Sequence, residues 1–154
     1  METPSLYEWA GGDAALKTLF TRFYERVADD PALGPVFASM DPAHAAHVAA
    51  FVGEVLGGPA AYSRDHGGHP SMIRKHVNKS LDNELRKRWM TLLLDVADEV
   101  GLPSDPEFRS AFVSYLEWGS RLAVINSQPG ADVTAEAPMP RWGWGEAKGP
   151  YIPD

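Results

Sequence analysis

Helical periodicity, interrupted by glycine, proline and aspartate, is the feature that most constrains how this chain folds. After Gly11-Gly12 the apolar side chains recur every three or four residues, which places them on one face of a helix. The same spacing returns in further segments around Phe51, Leu93 and Phe112. No segment alternates apolar and polar residues as a strand would. The sequence therefore predicts an all-α fold, in which the second helix turns inward Leu16, Leu19, Phe20, Phe23, Tyr24 and Val27.

The residues that separate these segments predict where the helices begin and end. Asp13 is the predicted N-cap of the second helix, because its carboxylate can accept from the free N–H groups of the first turn. Asp41-Pro42 and Asp105-Pro106 predict two later starts, since proline suits the first helical position. Residues 57–70 are predicted to be an irregular, glycine-rich connection before a brief helix over 72–77. A long helix follows from Ser80 or Asp82, and the last helix is predicted to turn inward Phe108, Phe112, Leu116, Leu122 and Ile125.

Composition excludes several classes of protein. The net charge is −7 and no run of lysine and arginine is long enough to follow a phosphate backbone, which argues against a nucleic-acid partner. No apolar run approaches the roughly 20 residues that span a bilayer, and the first residues do not resemble a signal peptide. The absence of cysteine removes disulfides, thiolate zinc sites and thiolate ligation of haem. A cytoplasmic protein without a membrane partner is the expectation.

The chain is expected to divide into a helical domain, residues 1–126, and a C-terminal extension, residues 127–154. The extension contains five prolines and four glycines, so it cannot form a long helix. Such a composition is typical of a disordered tail. The alternative is that Trp142, Trp144 and Tyr151 pack across the domain, because large aromatic side chains are costly to leave in water.

Two of the five histidines stand out by their position. His44 precedes an apolar stripe that continues through Val48 and Phe51, and His76 lies on the brief helix after the glycine-rich connection. A buried imidazole needs a polar partner, and an iron atom or an iron-bound ligand would provide one. The alternative is a three-histidine zinc site formed by His66, His69 and His76, for which the sequence lacks an H-E-x-x-H motif.

Tyr24 and Trp89 are aromatic residues with a polar group on the predicted inward faces of two helices. Either they are core residues that bond to nearby backbone, or they place an O–H and an indole N–H in a ligand pocket. An apolar pocket with a few oriented polar groups is typical of a ligand-binding site.

An ordered set of motifs resembles the truncated haemoglobins of the second group. The resemblance covers roughly residues 5–126, and the histidine of the set lies thirteen residues before its tryptophan. It implies a two-over-two helical sandwich around haem b. The motifs are Phe23-Tyr24-Glu25-Arg26-Val27, Pro35-Val36-Phe37, Gly57-Gly58-Pro59 with Tyr62-Ser63, Gly68-His69-Pro70, His76 and Trp89.

The resemblance also implies roles for individual residues. His76 matches the proximal iron ligand, Tyr24 the distal tyrosine and Trp89 the distal indole donor. His44 falls at the distal-helix position that faces bound ligand, where relatives often carry a small residue. The remaining cofactor-binding positions are Phe37 and Val48 against the haem, and Tyr62, Arg74, Lys75 and His47 near its propionates.

The resemblance implies a function in which O2, NO or CO binds at a histidine-ligated iron. It also implies the oxygen-transport role with which globins are associated. Several donors aimed at bound O2 would slow its release, which suits chemistry better than carriage. The alternative is therefore a haem enzyme of NO dioxygenase or peroxidase type, which would need an external, unknown reductant. A third hypothesis is a haem-free helical interaction module that uses the aromatic extension.

Overall fold

The computed structural model describes residues 2–133 and 137–150. Within those ranges it contains α-helices and no β-strand. The prediction of an all-α fold is confirmed. The described helices are α1 (Leu6–Ala10), α2 (Gly12–Ala28), α3 (His44–Val55), α4 (Ala61–His66), α5 (Gly68–Arg74), α6 (Asn83–Glu99) and α7 (Pro106–Asn126), and a 3-10 turn covers Gly145–Ala147.

Side-chain caps start α6 and α7 as the sequence predicts, but α2 and α3 start differently. Asp82 and Asp105 each accept a hydrogen bond from a first-turn N–H. The predicted cap at Asp13 is wrong, because Gly11 adopts a left-handed φ of 108° and α2 begins at Gly12. Asp41 does not cap α3 directly, since its Oδ1 accepts from Ala43 N–H at 2.7 Å and forms a turn before the helix.

The glycine-rich connection is helical, contrary to the prediction. α4 and α5 occupy most of residues 57–70, and Gly67, with a φ of 87°, separates them. Ser63 N–H in the first turn of α4 donates to Glu54 Oε1 at 2.8 Å, and Glu54 is a buried carboxylate of α3. This cap comes from nine residues away, so local helix signals in the connection could not show it.

The core lies between two helix pairs, α2 with α3 and α6 with α7, and α2 also packs on α6. Phe20, Phe23, Leu93 and Phe112 are fully buried there. The prediction for Ile125 is wrong, because its side chain is 62% exposed. The last turn of α7 instead directs Asn126 inward, next to the buried Ser127.

The described part of the extension packs on the helical domain. The backbone N–H of Trp142 donates to the Val55 carbonyl at 2.9 Å, so this carbonyl at the C-terminal end of α3 has a hydrogen-bond partner. Arg141 Nη1 donates to the Glu54 carbonyl at 3.1 Å, and Trp144 Nε1 donates to the Pro4 carbonyl at 2.8 Å. Of the two alternatives for the extension, packing is therefore correct for both tryptophans. Tyr151 lies outside the described residues.

None of the described helices combines the length and the hydropathy that crossing a bilayer requires.

Candidate functional site

A cavity of about 490 Å³ lies among α2, α3, α5, α6 and α7. Its volume is within the range of roughly 300–1,000 Å³ that small-molecule and cofactor sites occupy. Most of its wall is apolar, and a few polar side chains reach into it. The apolar wall includes Leu33, Phe37, Val48, Val52, Ile73, Leu85 and Leu116.

Tyr24 brings a phenol to the cavity from the inward face of α2. Its ring packs edge-on against Phe23, with centroids 4.9 Å apart, and only 8% of the residue is exposed. Burial raises the pKa of the Tyr24 phenol well above its usual value, while a hydrogen bond from Trp89 acts in the opposite direction. Tyr24 is therefore a neutral hydroxyl that keeps its proton even in alkaline solution.

His44 is the first residue of α3 and lies against Tyr24. The His44 Nε2 atom is 3.1 Å from the Tyr24 Oη atom, and the two rings meet edge to face. Burial, with a smaller contribution from the charge of Lys75, lowers the pKa of His44 to about 4. His44 is thus a neutral imidazole near pH 7, with one nitrogen that donates and one that accepts.

Tyr24, His44 and Trp89 form one polar cluster in this cavity. The indole N–H of Trp89 can only donate, and it acts on the Tyr24 oxygen in the direction that lowers the Tyr24 pKa. The Tyr24 O–H then donates to His44 Nε2, or it is free for a third partner when His44 Nε2 carries the proton and donates instead. In the second case the Tyr24 O–H is a donor that a ligand in the cavity can use.

His76 reaches the cavity from the turn that follows α5. Its Nδ1 atom is 2.8 Å from the Met72 carbonyl oxygen. Because a carbonyl only accepts, Nδ1 carries the proton. Burial lowers the pKa of His76, partly offset by this hydrogen bond, so the ring is neutral and Nε2 keeps its lone pair. A neutral imidazole with Nδ1–H bonded to a backbone carbonyl is the usual arrangement of a histidine that ligates a metal.

The basic side chains of Lys75, Lys79 and His47 are among those that line the cavity. Tyr62 and Arg74 do not line it. Tyr62 is fully buried against Phe51, its hydroxyl has no hydrogen-bond partner in the described structure, and Arg74 is exposed.

The three histidines of the zinc hypothesis have separate partners. His66 packs on His47 with ring centroids 4.3 Å apart, and His69 Nδ1 donates to the Pro138 carbonyl at 3.0 Å. Within residues 2–133 and 137–150, no three histidine or acidic side chains come together as a metal site. The zinc hypothesis is therefore wrong for the part of the chain that the structure describes.

Sequence reasoning missed several residues of the cavity wall, including Lys79, Arg86, Tyr115 and Trp118. Tyr115 follows Phe112 by three residues on α7, so helical spacing could have identified it. Arg86 carried no such signal, because a charged residue on an amphipathic helix is normally assigned to the solvent face. It is nevertheless buried, bonded to Asn83 Oδ1 at 2.7 Å.

Comparison with known proteins agrees with this geometry. The family model described as bacterial-like globin matches residues 5–118. The group 2 truncated hemoglobin YjbI of Bacillus subtilis is 36% identical over 117 residues, which are 76% of this chain and 86% of that protein.

Solved structures give the same result. A truncated oxygen-avid haemoglobin from Bacillus subtilis matches with a TM-score of 0.70 and 35% identity, over 79% of this chain and 99% of that one. A group II 2-on-2 hemoglobin from Agrobacterium tumefaciens matches with a TM-score of 0.67 and 27% identity, over 84% of this chain and 98% of that one. The predicted two-over-two arrangement is confirmed. The chain belongs to the bacterial-like globin family, among the truncated haemoglobins, whose members bind their ligands through haem.

Proposed function

We propose that this chain binds haem b in the central cavity, with His76 Nε2 as the protein ligand to iron, and that it holds O2 or another diatomic ligand beside Tyr24, His44 and Trp89. The observation that carries the proposal is the hydrogen bond from His76 Nδ1 to the Met72 carbonyl. It selects the tautomer whose free nitrogen can ligate a metal, and it orients the ring.

The cavity fits this cofactor in shape and in charge. Its wall is mainly apolar, as the faces of a porphyrin require, and Phe37 and Val48 are part of it. Lys75, Lys79 and His47 lie on the wall of a protein whose net charge is −7. Such a local cluster of basic groups suits two propionates, with which lysine forms charge-assisted hydrogen bonds. We assign the propionates to these three residues, and Tyr62 and Arg74, which do not line the cavity, stay as predicted partners from the sequence.

The bound iron would supply one open coordination position for a diatomic ligand. Around that ligand, this chain contributes a neutral phenol, a neutral imidazole and an indole N–H. Burial lowers the pKa of His44 and raises the pKa of Tyr24, so both groups are neutral near pH 7. Donors of this kind stabilise bound O2, which carries partial negative charge, and a relative of similar sequence is described as oxygen-avid.

Strong retention of O2 favours reaction over transport, which keeps a haem enzyme of NO dioxygenase or peroxidase type as the second candidate. The same three donors support it, because they can also polarise the O–O bond of a peroxide. Its electron donor would be a separate reductant. Sustained turnover of NO or peroxide with a reductant supplied distinguishes this candidate from a protein that only binds ligand.

The proposal is tested by substitution of His76. His76→Ala should abolish the five-coordinate histidine spectrum of the ferrous protein and weaken haem retention, because it removes the imidazole whose Nε2 would ligate the iron. His66→Ala is the matched control, since His66 stacks on His47 and does not line the cavity. It should leave the visible spectrum unchanged.

Two outcomes would contradict the assignment. A normal ferrous spectrum in His76→Ala would show that another residue ligates the iron. A purified wild-type protein that develops no Soret band when haem is added would favour the haem-free interaction module.

A further inference from the structure

The segment that carries His76 is short and strained. α5 ends at Arg74, and residues 75–78 form turns before α6 begins at Asn83. Asn78 and Ser80 have φ angles of 60° and 50°, in the left-handed region. Asparagine tolerates this region, whereas serine adopts it at an energetic cost. Strained backbone of this kind persists only where surrounding contacts hold it in place.

The first two residues after α7 supply contacts at the downstream end of this segment. Ser80 N–H donates to the Ser127 carbonyl at 2.8 Å, and Leu81 N–H donates to Ser127 Oγ at 2.9 Å. Gln128 Nε2 donates to the Leu81 carbonyl at 2.7 Å. Ser127 is fully buried, so the groups with which it accepts from Ser80 and Leu81 are costly to leave unpaired, whereas the Gln128 bond is exposed.

A later part of the extension holds the upstream end. His69, on α5, donates from Nδ1 to the Pro138 carbonyl at 3.0 Å and is 8% exposed. The chain after Pro138 is itself anchored, because Arg141 and Trp142 bond to the C-terminal carbonyls of α3. Pro138 therefore provides a supported acceptor for the helix that leads into His76.

We propose that the C-terminal extension is a clamp that positions His76, acting at Ser80 and Leu81 through Ser127 and Gln128, and at His69 through the Pro138 carbonyl. These three side chains, Ser127, Gln128 and His69, are positioning residues. The inference rests on the proposed function in that His76 binds iron. The globin family model matches residues 5–118, so Ser127, Gln128 and Pro138 lie outside the matched region and His69 lies inside it.

The clamp is tested first in the haem-free protein. Ser127→Ala removes the Oγ acceptor of Leu81 N–H and keeps the backbone carbonyl that accepts from Ser80. Amide hydrogen exchange at Leu81, measured by NMR, should become about tenfold faster, as expected for one lost buried hydrogen bond. Ser110→Ala is the matched control, because Ser110 Oγ bonds only to the Glu107 carbonyl within α7. It should leave Leu81 exchange unchanged.

The second measurement reports on the iron itself. In the ferrous, ligand-free holoprotein, Ser127→Ala should shift or broaden the iron–histidine stretching band in resonance Raman spectra, while Ser110→Ala should not. At the upstream end, His69→Phe should have the same effect, and His69→Asn should restore the wild-type band because its amide keeps a donor near the Nδ1 position.

Gln128→Ala provides a variant that should fold normally, since the Gln128 side chain is exposed. It should also accelerate exchange in residues 80–81 and change the Raman band. Wild-type exchange at Leu81 in both Ser127→Ala and Gln128→Ala overturns the clamp, whether or not the protein binds haem. Faster exchange with an unchanged iron–histidine band overturns the positioning of His76, while a missing band in the wild-type holoprotein would instead contradict the proposed function.

Discussion

Removal of the Tyr24 hydroxyl is the most direct test of how the cavity holds its ligand. Tyr24→Phe keeps the ring that packs on Phe23 and removes only the oxygen that lies 3.1 Å from His44 Nε2. A hydrogen bond to a charge-bearing partner is worth about 1.5–3 kcal/mol. Because about 1.4 kcal/mol corresponds to a factor of ten, O2 should dissociate roughly 10- to 100-fold faster from the variant.

Stopped-flow measurement of O2 release gives this rate, and a double-mutant cycle with Trp89→Phe tests the network. Trp89→Phe removes the indole N–H and keeps an aromatic side chain beside Phe23, whose ring centroid is 5.6 Å away. It should also accelerate release about tenfold or more. Because Trp89 and Tyr24 belong to one polar cluster, the free-energy effect of the double variant should be smaller than the sum of the two single effects by at least about 0.5 kcal/mol. Release rates within twofold of wild type in both single variants would show that Tyr24 and Trp89 are only core residues.

The substitution His44→Ala tests whether His44 donates a hydrogen bond to bound O2 or competes with O2 for the iron. Because His44 Nε2 is hydrogen-bonded to Tyr24, we expect His44 to act as a hydrogen-bond donor and not as an iron ligand. The variant should then release O2 faster, and the unliganded ferrous wild type should be five-coordinate. A six-coordinate, low-spin ferrous wild type, in which His44→Ala speeds ligand binding, would contradict this assignment.

Three further predictions concern stability. Trp142→Ala removes two aromatic contacts at centroid distances of 5.6 Å and should destabilise the fold by about 2 kcal/mol, seen as a melting temperature about 4–8 °C lower, whereas Trp142→Phe should lose less. Asp30→Asn should cost about 1–3 kcal/mol in chemical denaturation. The Arg88 hydrogen bond and backbone N–H donors hold the pKa of the Asp30 carboxyl below its usual value, so this contribution is complete above about pH 4 and is lost as the pH falls through the lowered, folded-state pKa. Gly58→Ala should lower the melting temperature although it adds only one methyl group, because the new Cβ would lie 2.7 Å from both the Gly53 carbonyl oxygen and the Tyr7 ring.

The sequence by itself determined the helical class and the main polar residues of the cavity. Periodicity placed Tyr24 and Trp89 on inward faces, and one polar residue at the start of an apolar stripe identified His44. The caps at Asp82 and Asp105 were also readable, because a cap bonds within three residues of itself. These features depend on neighbours along one helix, and such neighbours are visible in the order of residues.

Only the tertiary structure decided how the remaining segments fold. The glycine-rich connection became helical with its cap supplied by the buried Glu54, and the extension docked where Val55 and Pro4 offered free carbonyls. Arg86 turned out to be buried. In each case the stabilising partner belongs to another helix or to a distant segment. Composition predicted an irregular connection and left two alternatives open for the extension, because it measures only what a segment contains. The conformation of each segment depends on which backbone groups the folded chain brings beside it.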